Sequence, residues 1–417
     1  MAITIGRGDV LGTPGEDPAL AGFRRRVRGL LEERLPLRRS DEPVSVMGAG
    51  EGPEALVAGR RFLALLEEEG LGTPAWPVEH GGAGLTAPEL SVLSEELADF
   101  EVPDLYPFSV ALGMVGYVVL THGTAEQQAR WLPGIRTGAE IWCQMFSEPD
   151  AGSDLAGLST RAERDGDEWR VTGQKLWTSR AHYSRWGLLL ARTDPTVRKH
   201  RGITAFAVDM EAPGIVLRPL RQINGDEHFN EVFLDGTRIP DRDRIGGVGD
   251  GWRVAITTLM HERAGIGGRS AGVSPSHVLG LLARWGAGGD PIVRQRAAAI
   301  LTELDLTKRN AMRARSAQQQ GATPGPEGSG AKLLLAATVK RLAGLAMEVQ
   351  GPHGMLDDGE WQTVFLTAPS ISIRGGTDEI QRNIIGERVL GLPGEPRVDK
   401  DLPFDETRRA GRDRGAS

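Results

Sequence analysis

The stretch from Trp142 to Trp186 constrains the fold more than any other part of the sequence. It begins with a short apolar run and then reads Ser-Glu-Pro-Asp-Ala-Gly-Ser-Asp over residues 147–154, where proline and glycine rule out a regular element. Downstream, Asp165-Gly166-Asp167 separates two runs in which apolar and polar residues alternate, which predicts a β-hairpin. The hairpin would return Trp177 and the hydroxyls after it beside the loop, as a stacking surface next to hydrogen-bonding groups.

The regions on either side of this stretch have helical periodicity. Between them, short apolar runs separated by Gly, Pro and Asp predict the strands of a compact β domain. The fold class is therefore α+β, with helices, then strands, then helices along the chain. We predict a mobile arm at 1–17, a helical domain at 18–141, a β domain at 142–240, a helical region at 241–393 and an extended or disordered tail at 394–417. The predicted helices are 18–35, 55–69, 87–100, 107–120, 125–133, 252–270, 276–285, 291–319, 330–350 and 377–390.

Composition excludes several classes of protein. The chain has 417 residues and a formal net charge of -7, which gives no reason to expect a nucleic-acid partner. Its one cysteine, Cys143, excludes disulfides within the chain and indicates a reducing compartment. Because no apolar run is long enough to span a bilayer and no leader is visible, we expect a cytoplasmic protein without a membrane contact. The histidines His80, His122 and His228 lack ligand spacing, so no metal site is predicted.

Three motifs together resemble those of one family. The Ser-Glu-Pro-x-Ala-Gly-Ser-Asp loop and the Gly-x-Lys-x-Trp-x-Ser segment that begins at Gly173 are similar to the signature of the acyl-CoA dehydrogenase flavoproteins. A third stretch, Gly-Gly-Thr-Asp-Glu-Ile-Gln-Arg-Asn-Ile-Ile from Gly375, resembles the other hallmark of that family. The resemblance covers the chain from roughly Leu71 to Leu392. It implies an N-terminal helical domain, a middle β domain and a C-terminal four-helix bundle.

The resemblance also implies the chemistry. An FAD would lie between the β domain and the C-terminal helices, a base would remove the α proton of an acyl thioester, and the β hydrogen would leave as hydride to flavin N5. Ser153 and Arg263 would contact the substrate. The residues that would line the flavin, by the same resemblance, are Gln144, Phe146, Ser147, Gly152, Ser153, Trp177, Thr178 and Ser179.

The identity of the base depends on a departure from the family pattern. Many members have a glutamate immediately before the Gly-Thr of the C-terminal signature, where this chain has Gly375. Other members supply the base from the first long helix of the C-terminal domain, and Glu262 matches that position. Glu262 interrupts an apolar stripe that recurs every four residues, so burial would raise its pKa, whereas His261 should face solvent. The structural alternative is a buried ion pair between Glu262 and Arg263 or Arg269. The backbone N–H of Gly375 would bond the thioester oxygen.

Two further segments are candidates for flavin contacts. Thr377, Asp378 and Glu379 begin a helix, which can receive a phosphate or a flavin hydroxyl at its N-terminus or can simply be capped by Thr377. Gly351 and Gly354 lie in a segment that resembles one touching the flavin of a neighbouring subunit. Glu348 and Pro352 depart from that family segment, and the usual Arg-x-x-Phe-Gly element is replaced by a stretch beginning at Arg284.

The sequence therefore predicts an FAD-dependent acyl-CoA dehydrogenase that acts with Glu262 as base. Its partners would be an acyl-CoA and an electron-transfer flavoprotein as acceptor, in a homodimer or homotetramer. Three alternatives stay open at this point: an oxygen-using oxidase or monooxygenase, a dehydrogenase of carrier-protein thioesters, and a non-catalytic flavin-binding subunit of a two-chain assembly. Acyl chain length and branching are not set by these motifs.

Overall fold

The computed structural model of the chain describes residues 17–38, 52–268, 273–319, 326, 328–356, 359–396, 399 and 401–407. Nearly all of the predicted arm, and the tail beyond residue 407, lie outside the described residues. In the described part the order is helices, one β-sheet, helices, as the α+β prediction requires. Among these residues no helix is both long enough and apolar enough to cross a membrane.

The N-terminal region is helical, and its helices begin where the sequence supplies caps. Asp17 accepts a hydrogen bond from the N–H of Ala19 at 2.7 Å, and Thr86 and Glu89 form a capping box. The first helix buries an apolar residue at every fourth position, and it faces the third helix across a partly buried ion pair between Arg24 and Glu96. The helices are α1 (Pro18–Arg34), α2 (Pro53–Glu68), α3 (Ala87–Leu97), α4 (Gly116–His122) and α5 (Ala125–Arg136).

The helix predicted over 107–120 is present from Ser109 onward, and it contains a π-helical turn that the sequence did not indicate. The segment is a 3₁₀ turn at Tyr106–Phe108, a π-helical turn at Ala111–Val115, and then α4. Tertiary packing requires the glycine at position 116, because the indole of Trp76 lies so close to it that any side chain there would clash. The π-helical turn packs against the first helix of the C-terminal region, which brings the two helical regions together.

The middle region is one mixed sheet in which the strand order is β6-β7-β3-β2-β4-β5-β8, with β1 parallel to β4. The predicted hairpin is present: β2 and β3 pair antiparallel, and Gly166 in their turn has a φ of 67°. The longest ladder joins β3 to β7 and is interrupted by a bulge between Lys175 and Thr178. The strands are β1 (Trp142–Met145), β2 (Arg161–Asp165), β3 (Glu168–Ser179), β4 (Trp186–Arg192), β5 (Ile203–Asp209), β6 (Ile215–Leu220), β7 (Phe229–Pro240) and β8 (Arg244–Ile245).

Three buried tryptophans join the N-terminal helices to the sheet. Trp131 of α5 meets Trp142 of β1 and Trp186 of β4 edge to face, with ring centroids 5.6 and 5.8 Å apart. Because these rings are almost completely buried, they join the two regions into one hydrophobic core. The sheet therefore has a fixed orientation relative to α5.

The C-terminal region contains one helix that the sequence analysis missed. Residues Glu360–Ile371 form a helix even though Pro369 lies in its last turn, and its buried face (Trp361, Val364, Ala368) has the usual spacing of three and four. The final predicted helix is present as an α-helix at Asp378–Ile384 followed directly by a π-helical turn at Ile385–Val389. The helices are α6 (Gly251–Gly268), α7 (Pro275–Arg284), α8 (Pro291–Gln319), α9 (Gly328–Gln350), α10 (Glu360–Ile371) and α11 (Asp378–Ile384).

The expectation of an extended or disordered tail is wrong for residues 401–407. Phe404 is 5% exposed, and the guanidinium carbon of Arg192 lies 3.7 Å from the centroid of its ring. The N–H of Phe404 donates to the carbonyl of Val197 at 3.0 Å, and Asp399 pairs with Lys199 at 2.6 Å. Composition alone suggested an extended or disordered tail, but one buried aromatic ring and two ion pairs, Lys199–Asp399 and Arg198–Asp401, hold this segment on the β domain.

Candidate active site

A buried ion pair joins the loop of residues 147–154 to strand β3. Nζ of Lys175, whose side chain is completely buried, donates to Oε1 of Glu148 at 2.8 Å and to the carbonyl of Phe146 at 3.0 Å. Glu148 also accepts hydrogen bonds from both N–H and hydroxyl of Ser159 and from the N–H of Thr160. The Glu148 carboxylate thus accepts four hydrogen bonds from residues outside its own loop. It joins the loop of residues 147–154 to the Gly-x-Lys-x-Trp-x-Ser segment of β3.

The pKa of Glu148 reflects this environment. Burial by itself would raise the pKa of the carboxyl, but the charge of Lys175 and the hydrogen bonds from Lys175, Thr160 and Ser159 lower it to about 2 from the usual 4.5. Burial lowers the pKa of Lys175, and the Glu148 carboxylate opposes that shift. Glu148 is therefore a structural carboxylate and not a candidate base, because its proton affinity is too low.

The predicted loop residues lie at different depths. Gln144 and Ser147 are half-buried, Phe146 is buried, and Gly152 and Ser153 are exposed. The N–H of Leu176 donates to the carbonyl of Ser147 at 2.9 Å, so the loop backbone runs directly beside β3. The loop thus leaves the hydroxyl of Ser153 and the backbone of Gly152 accessible at the end of the strand.

Trp177 has the most unusual conformation among the predicted site residues. Its φ is 58°, in the left-handed region, and its side chain is 57% exposed at the β3 bulge. The neighbouring Ser179 is half-buried, whereas Thr178 is fully buried and its hydroxyl has no protein partner in the described residues. A left-handed conformation costs an L-residue about 1–2 kcal/mol. Since the exposed indole gains little from burial, the strain serves no evident purpose in folding.

Glu262 lies on α6, which passes between all three regions. The helix packs against the π-helical turn at Ala111–Val115, α4, β5 and α9. Thr258 and Val254, four and eight residues earlier, are fully buried, and Glu262 itself is half-buried. The predicted stripe of residues at intervals of four along α6 is therefore on the buried side of the helix as far as Glu262. The side chains of Ile266, Arg263 and Arg269 lie outside the described residues, so the proposed ion pair stays untested.

The expectation that His261 faces solvent is wrong. Its ring is stacked on Tyr117 of α4, with centroids 3.9 Å apart and planes inclined by 6°. Burial lowers the pKa of His261, which favours the neutral ring. The residue beside Glu262 therefore belongs to an interface between the N-terminal and C-terminal helices.

The C-terminal signature forms a tight turn that glycine makes possible. Gly375 and Gly376 have φ values of 65° and 86°, both in the left-handed region. The amide of Gln381, which is 1% exposed, donates to the carbonyls of both glycines at 3.0 and 3.3 Å. A glutamate at position 375 would have to adopt the same left-handed backbone conformation, which is unfavourable for a residue with a side chain. The turn therefore favours glycine at this position.

The start of α11 has the structural features of a capped helix. The hydroxyl of Thr377 accepts from the N–H of Ile380 at 3.2 Å, and Asp378 pairs with the buried Lys332 of α9 at 2.9 Å. Glu379 forms an ion pair with Arg382. The capping interpretation of Thr377 is confirmed, and a contact of these three residues with a flavin stays a prediction.

Gly351 and Gly354 lie in a short 3₁₀ segment at Gly351–Met355 that follows α9. Gly351 is exposed with a φ of 54°, and a side chain at Gly354 would come within 2.9 Å of the carbonyl of Met347. Close backbone approach is therefore a property of this segment, and its contact with the flavin of a neighbouring subunit stays a prediction.

Comparison with known proteins gives the family of each region. Models described as "Acyl-CoA dehydrogenase, N-terminal domain", "middle domain" and "C-terminal domain" match residues 22–139, 143–236 and 249–390. The chain is 40% identical over 396 residues to "Acyl-CoA dehydrogenase IpdE1" of Mycobacterium tuberculosis, covering 89% of this chain and 98% of the relative. It is 39% identical to "Acyl-CoA dehydrogenase FadE34" of the same organism, covering 88% of this chain and 52% of that longer relative.

Solved structures share the whole architecture. The "Tcur3481-Tcur3483 steroid ACAD" matches with a TM-score of 0.75 and 28% identity, covering 92% of this chain and 100% of that one. The "ChsE4-ChsE5 complex from Mycobacterium tuberculosis" matches with a TM-score of 0.70 and 28% identity, covering 92% and 100%. The predicted fold class, with a helical, a β and a second helical domain, is therefore confirmed.

Replacing Lys175 with methionine should destabilise the protein strongly, because the Glu148 carboxylate would stay buried without its cation. Loss of one partner of a buried pair typically costs about 3–5 kcal/mol. The double variant Glu148→Gln/Lys175→Met should lose less than the sum of the two single variants. Urea unfolding monitored by circular dichroism measures each free energy. The exposed pair Arg170–Glu163 provides the control, since removing it should change the free energy by about 0.5 kcal/mol or less.

The same pair sets a pH dependence. The folded-state pKa of Glu148 is depressed, so its stabilisation is present above the unfolded value of 4.5 and is lost as pH falls toward 2. The wild type should therefore lose about 3 kcal/mol more than the double variant across that window. The pair does not act as a unit if the free energy of unfolding falls equally steeply with pH in the wild type and the double variant. The same conclusion follows if the free-energy losses of the two single variants add up to that of the double variant.

Proposed function

The chain belongs to the acyl-CoA dehydrogenase family, and from that premise we propose that it desaturates a steroid-derived acyl-CoA with FAD as cofactor and Glu262 as base. The protein is an acyl-CoA dehydrogenase, an oxidoreductase, and members of its family use FAD. The substrate class, the base, and the residues that hold the flavin are the proposed part.

The conformation of Trp177 carries the cofactor proposal. Its indole is exposed despite a strained backbone, directly after the segment that Lys175 anchors. A flat aromatic face beside the half-buried Ser147 and Ser179 fits an isoalloxazine ring, with hydroxyls available for its polar edge. Among the described residues, the buried hydroxyl of Thr178 in the same segment has no protein partner. FAD, when bound, accepts the hydride that leaves the β carbon of the acyl group.

The proton step is proposed for Glu262. Its carboxylate is half-buried and follows the fully buried Val254 and Thr258 on the same side of α6. This helix contacts both the N-terminal and the middle regions. Gly375 has no side chain that could act as base, and its backbone N–H is proposed to donate to the thioester oxygen as the enolate-like charge develops. Glu148 is unsuited to this task because its pKa is held at about 2.

The substrate proposal comes from the relatives. A matched structure is described as a steroid dehydrogenase of this family, and it aligns over 92% of this chain. We propose a polycyclic or branched acyl group of steroid origin, carried on CoA, with the electrons passed on to an electron-transfer flavoprotein.

An assembly of two different chains is the second candidate for the quaternary structure, beside the homodimer or homotetramer. Two of the matched structures are described as pairs of different chains. In this chain, large apolar side chains are exposed on the C-terminal region, where a second chain would cover them. They are Met355, Ile373, Leu390, Leu392 and Phe365, which are 46–84% exposed.

Glu262→Gln should retain bound flavin but should lose anaerobic bleaching of the flavin by a steroid acyl-CoA. Removal of a general base typically slows proton abstraction by about 10²–10⁴-fold. Stopped-flow absorbance measures the rate, and Glu95→Gln, which removes one partner of an exposed ion pair, serves as the matched control. Full bleaching by the Glu262 variant at the wild-type rate would refute the assignment of the base. A panel that includes octanoyl-CoA tests the substrate class.

Trp177→Gly should separate stability from cofactor binding. Glycine relieves the left-handed strain, so the free energy of unfolding of the flavin-free protein should fall by less than about 1 kcal/mol, or should rise. Flavin bound per chain after gel filtration should nevertheless drop, while Trp177→Phe should keep most of it because a flat ring remains. Unchanged flavin content in the glycine variant would contradict stacking on Trp177.

The mass of the purified chain should distinguish the assemblies. If the chain works with a different partner, the chain expressed alone should have low flavin content and expose apolar surface, visible as binding of a hydrophobic dye. Co-expression with a second chain of this family should then restore flavin binding. A flavin-saturated dimer or tetramer of this chain alone would rule out the two-chain assembly.

A further inference from the structure

The last described segment of the chain lies against the loop between β4 and β5. We call residues 399 and 401–407 the C-terminal clasp. The N–H of Phe404 donates to the carbonyl of Val197 at 3.0 Å, and the N–H of Asp405 donates to the carbonyl of Pro195 at 3.1 Å. The clasp lies beyond residue 390, where the match to the C-terminal family model ends, so that model assigns it no role.

Lys199 of the β4–β5 loop joins the clasp to the loop of residues 147–154. Its Nζ donates to both carboxylate oxygens of Asp154, at 2.9 and 3.0 Å, and to a carboxylate oxygen of Asp399 at 2.6 Å. Asp154 is the last residue of the loop and directly follows Ser153. Because the Lys199 side chain is only 11% exposed, these charge-assisted bonds are partly shielded from water. One ammonium therefore connects the clasp to the end of the loop.

Arg192, at the end of β4, provides a second connection. It is 3% exposed, and its guanidinium donates to the carbonyls of Ala156 and Leu158 at 2.6 and 3.1 Å. The ring of the buried Phe404 lies over this guanidinium, with its centroid 3.7 Å from the guanidinium carbon. An aromatic face stabilises a desolvated guanidinium and keeps water away from its hydrogen bonds. The clasp therefore supports the chain directly after the loop as well as the last residue of the loop.

We propose that Phe404 and Asp399 are positioning residues for substrate binding: the clasp holds the end of the loop at Asp154 so that Ser153 meets the acyl-CoA in a fixed place. This inference rests on the proposed function, because it takes Ser153 as a residue that contacts the acyl-CoA. Phe404 acts through Arg192, and Asp399 acts through Lys199.

The loop needs an anchor at each end because its middle is exposed. The ion pair between Glu148 and Lys175 holds its start, whereas Gly152 and Ser153 are exposed. A loop that is already ordered binds its ligand more tightly, since the entropy of ordering is not lost at binding. Loosening the clasp should therefore weaken substrate binding more than it slows the chemical step, because the proposed base lies on α6 and not on the loop.

Hydrogen–deuterium exchange of the flavin-loaded, full-length enzyme tests the clasp itself. In Phe404→Ala and in Asp399→Asn, the amide of Leu158 should exchange about tenfold faster or more, because the segment after the loop opens more often. The amide of Leu176 donates to the carbonyl at the start of the loop and should keep its wild-type rate. The second variant keeps the test decisive if the first does not fold.

Ligand binding tests what the clasp does for the enzyme. The probe is trans-2-octenoyl-CoA, which is already desaturated, and calorimetry gives its Kd. In Phe404→Ala and Asp399→Asn the Kd should rise about tenfold, while kcat with octanoyl-CoA should change by less than about twofold. Phe404→Tyr keeps the ring over Arg192 and should retain the wild-type Kd. The matched control is Glu406→Gln, which changes an exposed carboxylate of the same segment and should alter neither quantity.

Each outcome decides the matter. Equal affinity of the wild type and both variants for trans-2-octenoyl-CoA overturns the proposal, because the clasp would then serve only the stability of the β domain. An unchanged exchange rate at Leu158 also overturns it, as does a loss of kcat at unchanged Kd. Faster exchange at Leu176 as well would show that the clasp does not act on one end of the loop, which contradicts the proposal. Weaker binding by the variants, with no flavin bleaching of the wild type by any thioester, would refute the proposed function and leave this inference standing.

Discussion

The structure of the site depends on the ion pair between Glu148 and Lys175. A lysine ammonium with no exposure to water is tolerated only because a carboxylate and a backbone carbonyl meet it at hydrogen-bond distance. The same carboxylate accepts from Ser159 and Thr160, so one group organises both the loop after β1 and the approach to β2. The loop and the tryptophan bulge keep their mutual position because their common anchor is buried and dry.

Strain is concentrated where chemistry is proposed. Trp177 and Arg180 have left-handed backbones without being glycine, and Gly375 and Gly376 form a left-handed pair pinned by Gln381. The first two belong to the end of β3 and the others to the turn before α11. Unfavourable conformations persist only where the surrounding structure holds them, and here the anchors are Lys175 on one side and Gln381 on the other.

The three regions are interdependent at the centre of the molecule. The tryptophans of α5, β1 and β4 join the first helices to the sheet, His261 stacks on Tyr117 across the two helical regions, and Asn224 of the β6–β7 loop donates to Thr367 of α10 at 3.2 Å. These contacts fix the position of each region relative to the other two.

The sequence by itself determined the order of helices and strands, the hairpin at Gly166, and the motifs that identified the family, because these depend on local periodicity and on turn residues. It also indicated that Gly375 is not a base. It did not reveal that the indole of Trp76, from a distant loop, packs against Gly116, or that Phe404 docks onto Arg192. Periodicity placed His261 in solvent because it describes one helix at a time, whereas the ring that covers it comes from another.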